Sequence, residues 1–138
     1  MKVHSILPSL VVAISLGFAG AAAAQDGSET VTPNFSRALP NVPGKSLTAV
    51  EVVYPPGGAS YPHTHAKSAF IYAYVVSGSV VSKVNNEPEH VYKAGESFFE
   101  EPGSLHAVSR NASKTKPAKL LAVFVVDSDD KQLTTNAK

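Results

Sequence analysis

Residues 70–99, FIYAYVVSGSVVSKVNNEPEHVYKAGESFF, hold short apolar and β-branched runs cut apart by turn signals. Ser77-Gly78 separates the run 70–76 from 80–84, and Asn85-Asn86-Glu87-Pro88 turns the chain toward 90–93. Ala94-Gly95 turns it again into Ser97-Phe98-Phe99. Runs of this length between Gly, Pro and Asn clusters read as strands joined by tight connections. Working outward, 47–54, 105–109 and 120–126 have the same character, the last two separated by the polar stretch 111–119. No window past the first two dozen residues shows a 3.6-residue period. Seven or eight short strands predict an all-β sandwich or barrel.

Composition narrows the function classes. The chain has 138 residues, 12 Lys+Arg against 11 Asp+Glu, 43% apolar and 17% charged residues. That balance fits one compact domain and excludes a binder that grips nucleic acid through a basic surface. With no Cys, disulfides, thiolate metal sites and cysteine nucleophiles are excluded as well. No phosphate loop precedes a helix, and Ser104 and Ser109 near His106 lack a nucleophile elbow and a triad carboxylate.

The first residues read as an export leader. Lys2 precedes the apolar run 6–18, and small residues follow through Ala22-Ala23-Ala24. The run falls short of the roughly 20 apolar residues that span a bilayer. The expectation is a signal peptide over 1–24, cleaved after Ala24, giving a secreted or periplasmic protein with no membrane attachment. A polar N-terminal arm follows over 25–45, then a barrel over 46–128 and a tail over 129–138.

Four histidines lie beyond the leader: His63, His65, His90 and His106. His63 and His65 are two apart, so a strand would point both imidazoles to one face. Neutral imidazole is the commonest metal ligand, and such a pair can share an ion.

The surroundings of these histidines are similar to the two motifs of the cupin superfamily. Gly57 stands five residues before His63-Thr64-His65, and Gly78 closes the following strand. Gly95, Pro102-Gly103, His106 and Asn111 form the second cluster. The resemblance implies a single jelly-roll (double-stranded β-helix) barrel of the RmlC-like type, with His63, His65 and His106 as metal ligands. His90 matches no motif position and is expected at the surface. The chain also departs from the pattern. The family's Glu would fall at Ala69, Phe70 or Ile71, and no acidic residue lies between Glu51 and Glu87. Glu101 stands where the second motif has its first Pro, and Asn111 comes one residue late.

A three-His site leaves a divalent ion open to water or substrate. Zn²⁺ or Cu²⁺ suits an all-nitrogen site filled outside the cytoplasm, with Fe²⁺ or Mn²⁺ next. Tyr72 or Tyr74, or Glu100 or Glu101, would complete the set only by folding in. The tyrosines are expected to pack within the strand, and the two glutamates to be solvated beside the Pro102-Gly103 turn. Phe70, Tyr72, Tyr74, Phe98 and Phe99 supply apolar walls wherever their alternation faces the barrel axis. The resulting expectation is a small-molecule partner and a metal-dependent, dioxygenase-like activity, the alternative being a non-catalytic ligand- or metal-binding barrel. The resemblance also implies pairing as a homodimer.

Overall fold

The computed structural model describes residues 27–138; the leader expected over 1–24 and its cleavage point lie outside the described residues. Ten strands follow in order: β1 (Thr30–Ala38), β2 (Lys45–Tyr54), β3 (His63–His65), β4 (Phe70–Ser77), β5 (Ser79–Val84), β6 (His90–Lys93), β7 (Ser97–Glu100), β8 (Leu105–Asn111), β9 (Ala118–Asp127) and β10 (Thr134–Asn136). They form two five-stranded antiparallel sheets, ordered β1-β2-β9-β4-β7 and β10-β3-β8-β5-β6. The described residues contain no helix. The all-β jelly roll expected from the sequence is the observed architecture.

β9 shows how the pattern builds the core. Ala118, Leu120, Ala122, Phe124 and Val126 are buried, and each intervening residue is half-exposed. This period of two is what a strand with one face on a core requires. β9 pairs with β2 along ten residues and with β4 on its other side, which makes it the centre of the first sheet. Two apolar clusters result. One joins Val52, Tyr54, Ala73, Val75, Val80, Phe98, Ala118 and Leu120, and the other Ala69, Ile71, Ala122, Phe124 and Val126.

Strand pairing extends past 46–128 at both ends. β1 runs antiparallel to β2 along the sheet edge, with a register irregularity between Pro33 and Phe35. Pro lacks the ladder donor, so an edge strand with a bulge is where it is tolerated. At the other end, β10 pairs with β3, setting Thr134 against His65 and Asn136 against His63.

The crossing between sheets after β4 depends on Gly78, which has φ +72°. A Cβ there would come within 2.7 Å of the Pro117 carbonyl oxygen, so only glycine serves this turn. A second tie is Asn111, which is 4% exposed. Its Nδ2 donates to the carbonyls of Tyr54 (3.4 Å), Pro55 (3.0 Å) and Lys116 (2.7 Å), and its Oδ1 accepts from the Ser113 amide (2.8 Å). One side chain thus binds the end of β2, the loop behind it and the loop before β9. Asn111→Ala takes the donor from the buried Tyr54 carbonyl and from the part-buried bonds to the Pro55 and Lys116 carbonyls. It is expected to lower unfolding stability by about 2–3 kcal/mol with an unchanged denaturant slope, measured by urea titration.

Candidate metal centre

Four short segments bring the site together. His63 and His65 share the inner face of β3, two residues apart as the strand period dictates. β3 lies beside β8 in a register that sets His63 directly opposite His106. A bulge in β8 then matters. The pairing with β5 shifts between Lys83 (opposite Val108) and Val84 (opposite His106). The extra residue changes the phase of the strand, so His106 is buried together with Ser109 and Asn111.

The three imidazoles expected to cluster do cluster. Their ring centroids are 4.9 Å apart for His63–His65, 5.2 Å for His63–His106 and 6.0 Å for His65–His106. One ligand atom from each lies within 4.8 Å of the others. Donors about 2.1 Å from a shared ion are at most about 4.2 Å apart, so small side-chain rotations close the set.

The expected solvation of Glu100 is overturned. β7 alternates so that Phe98 and Glu100 face inward while Ser97 and Phe99 face out, and Glu100 is 2% exposed. Its Oε2 lies 3.0 Å from His65 Nε2 and its Oε1 3.2 Å from His106 Nδ1. Glu100 is paired in register with Ile71, one of the positions where the family pattern places its glutamate. The carboxylate therefore enters from the neighbouring strand. Directly opposite residues have Cβ atoms only about 5 Å apart, close enough for one strand to supply what the other lacks. Glu101 is exposed, as expected. The missed signal was the alternation: once Phe98 faces the core, Glu100 must share its side.

The aromatic walls also divide differently from expectation. Phe98 faces inward, whereas Phe70 and Phe99 stack on the outer face with centroids 5.9 Å apart. Tyr72 is exposed and Tyr74 shares its outward side of β4, because Ile71, Ala73 and Val75 take the inward positions. Neither tyrosine is a ligand. His90 is exposed, packed on Tyr92.

Surrounding groups orient the imidazoles. His63 Nδ1 lies 2.8 Å from the Tyr61 carbonyl, to which it donates, leaving Nε2 as the lone-pair nitrogen. His106 Nε2 is bonded to the Ser82 hydroxyl at 2.8 Å. His65 Nε2 and Glu100 Oε2 are close but do not line up as a hydrogen bond. With His65 Nδ1, they are buried polar atoms without a partner. Buried polar groups are almost always paired. The three imidazoles lie close enough to hold a cation, and the Glu100 carboxylate abuts two of them.

Protonation suits the same role. Burial pushes the His63 imidazole down to about 4, helped by the neighbouring rings of His106 and His65 and opposed by the Tyr61 carbonyl. For Glu100, burial works against the charged form. The close contacts and charges of His106 and His65 outweigh it and hold the carboxyl at about 2. At neutral pH the site offers a neutral imidazole and an anionic carboxylate, the forms that bind metal.

The centre opens into a cavity of about 320 Å³ walled by Val50, Val52, Tyr54, Ile71, Leu120 and Phe124. A hollow of about 470 Å³ between the β5–β6 hairpin and β7 is larger, but it holds no converging ligands. The smaller one is lined by the three imidazoles and Glu100.

Two five-stranded sheets closing on an imidazole cluster define a double-stranded β-helix barrel. The chain belongs to the cupin domain family, which matches it over residues 50–124. No curated protein matches the sequence. Among solved structures, TT1209 from Thermus thermophilus is 26% identical with a TM-score of 0.58, covering 72% of this chain and 84% of its own. An uncharacterized double-stranded β-helix protein from Klebsiella pneumoniae is 17% identical with a TM-score of 0.63, covering 83% and 89%. A recombinant oxalate oxidase in complex with glycolate is 21% identical with a TM-score of 0.58, and the match covers 76% of this chain but 54% of the oxidase.

Both depressed pKa values predict acid sensitivity of the metal-free protein. The His63 contribution is complete above its ordinary 6.5 and is lost as pH falls toward 4. The Glu100 contribution is complete above its ordinary 4.5 and is lost toward 2. Melting temperature should therefore fall in both windows on acidification, the upper one amounting to at most about 3 kcal/mol. His63→Gln should flatten the upper window and Glu100→Gln the lower, read from thermal melts across pH.

Proposed function

We propose that the protein holds one divalent metal ion through His63, His65, His106 and Glu100, and acts as a metal-dependent enzyme on a small oxygen-bearing molecule in the barrel. The observation that carries this reading is the cluster of three imidazoles close enough to hold one ion, with the Glu100 carboxylate 3.0 Å from His65 and 3.2 Å from His106. A carboxylate among the donors moves the choice of metal. Imidazole suits Zn, Cu, Fe and Ni, and carboxylate suits Mn, so three nitrogens with one oxygen favour Fe²⁺ or Mn²⁺ over the all-nitrogen expectation of Zn²⁺ or Cu²⁺.

When bound, the ion supplies Lewis acidity toward an oxygen donor and, if redox-active, electron transfer to O₂. The chain supplies the rest. Glu100 cancels one unit of the ion's charge and leaves the centre cationic, which favours anionic ligands. The Tyr61 carbonyl and Ser82 hydroxyl fix the planes of His63 and His106. Apolar walls keep water low and strengthen each electrostatic contact. The glycolate held by the oxalate oxidase is a small hydroxy acid, and ligands of that size and charge fit this cavity. The same reading places the protein outside the cytoplasm, on the leader-like residues 1–24. It also pairs two copies through the apolar outer face that carries Phe70, Tyr72 and Phe99.

Metal content of protein purified from its own compartment without chelators should be about one equivalent. Content below about 0.1 equivalent, with no uptake on adding Fe²⁺, Mn²⁺, Zn²⁺ or Cu²⁺, would overturn the site. Glu100→Gln should weaken metal affinity beyond the roughly 10–100-fold lost with an outer-shell partner, whereas Ser82→Ala should stay within that range. O₂ uptake or loss of a small carboxylic or hydroxy acid should vanish in His65→Ala with the fold retained. Ligand-dependent stabilisation without product would make the protein a binding barrel instead.

A further inference from the structure

Among the described residues, the buried side-chain nitrogen and oxygen atoms without a partner are His65 Nδ1 and Nε2, Glu100 Oε2 and Glu29 Oε2. All belong to residues lining the one cavity of about 320 Å³. A metal at the imidazole cluster accounts for one His65 nitrogen and for Glu100 Oε2, and the second His65 nitrogen sits on the same ring. Glu29 stands apart: it comes from the segment before β1, and among the described residues no hydrogen bond or ion pair ties it to His63, His65 or His106.

Its position is built rather than accidental. The Ser28 amide donates to the Ala59 carbonyl at 3.0 Å, and the Ala59 amide donates back to the Ser28 hydroxyl at 3.2 Å. Gly27 approaches the Tyr61 ring so closely that a Cβ would sit 2.3 Å from it, with φ at +62°. Tyr61 in turn supplies the carbonyl that orients His63. Residues 27–29 are therefore held against the Ala59–Tyr61 segment, with Glu29 and Val31 part of the cavity lining. The Tyr54 hydroxyl, held up chiefly by burial, also carries the influence of both Glu29 and Glu100. Among the described residues, no cation forms an ion pair with Glu29. Lys131, which lines the same cavity, donates to the Ser128 carbonyl at 2.6 Å.

Resting on the metal-centre reading, we infer that Glu29 is the second anchor of the binding site. Its carboxyl accepts a hydrogen bond from a hydroxyl or ammonium group of a ligand whose other end is a carboxylate on the metal. The ligand class is then a small, short-chain acid carrying a proton donor at its far end. A cationic metal centre and an unpaired acceptor at separate places in one cavity select for such a two-ended molecule, because leaving the occluded Oε2 unpaired penalises analogues without the donor.

The probes are straight-chain acids of two to six carbons, each compared with its terminal hydroxy and amino derivatives. Binding is measured by calorimetry on zinc-loaded protein, which is redox-inert, and on metal-free protein. At one or more chain lengths, a terminal donor should tighten binding at least about tenfold over the plain acid. Glu29→Ala should remove that gain for both derivatives. Glu29→Gln should keep the hydroxyl gain and lose most of the ammonium gain, with zinc affinity unchanged in both variants. Zinc-dependent binding with no preference at any length, or a preference that survives Glu29→Ala, would overturn the role of Glu29 alone. Failure to take up zinc, or acid binding indifferent to zinc, would overturn the metal centre itself. Melting of the unliganded protein gives an independent readout: a half-buried carboxyl with one occluded, unpartnered oxygen adds nothing to folding, so Glu29→Gln should leave the melting temperature unchanged or raise it. A fall of more than about 4 °C would make Glu29 a structural residue and overturn the inference.

Discussion

A carboxylate held inside an apolar barrel sets the terms for what surrounds it. Glu100 is almost wholly removed from solvent, and an unpaired ionised carboxylate there would carry a large desolvation penalty. His65 and His106 offset it, and both come from the opposite sheet. The two sheets must therefore be held at a fixed spacing and register for the charge to be tolerated. The apolar clusters do this from both sides. His65 packs on Phe124 at 5.7 Å in one cluster, and His106 packs edge-on to Phe98 at 6.0 Å in the other. The polar cluster thus lies between two hydrophobic ones, and neither could shift without misaligning it.

Delivery of the carboxylate from β7 rather than β4 has its own supports. β7 is a four-residue edge strand and could not fix a buried charge by pairing alone. The turn before it is closed by Glu96 accepting from the Lys93 amide, and the Val75 amide donates to the Glu96 carbonyl at 3.0 Å. The turn after it is closed by the Ser104 amide donating to the Glu101 carbonyl at 3.1 Å. With both ends tied down, the short strand holds its register and Glu100 is delivered opposite Ile71. The second motif, Gly95 through His106, contains both turns, so its spacing positions a carboxylate as well as a histidine.

Much of this was legible because it follows from period. Strands β4 and β9 bury every second residue of their apolar runs, and His63 and His65 fall on one face for the same reason. What escaped reading lacked that signal. Every residue of β1 is exposed and the strand contains Pro33, so it has no apolar alternation to show. β10 is three exposed residues whose order comes from pairing with β3. Glu100 was hidden by its neighbours, since Glu101-Pro102-Gly103 gives it the look of a turn flank. The direction of His106 depended on a bulge at 107, which no local pattern announces.

Where the interior breaks the rules of folding is the most informative part of the molecule. Asn111, Ser109, Ser82 and Tyr54 are buried polar groups, yet each is satisfied by a neighbour that helps close the barrel. Those residues explain the fold. The unsatisfied atoms of His65, Glu100 and Glu29 gather on one cavity, and folding alone gives no reason for them to be there. Sequences are locally consistent except where function demands otherwise, so a concentration of unmet polar atoms singles out this cavity as the candidate site. The first strand and the last both contribute to this cavity: Val31 of β1 lines it, as do Thr134 and Asn136 of β10, which pair with His65 and His63.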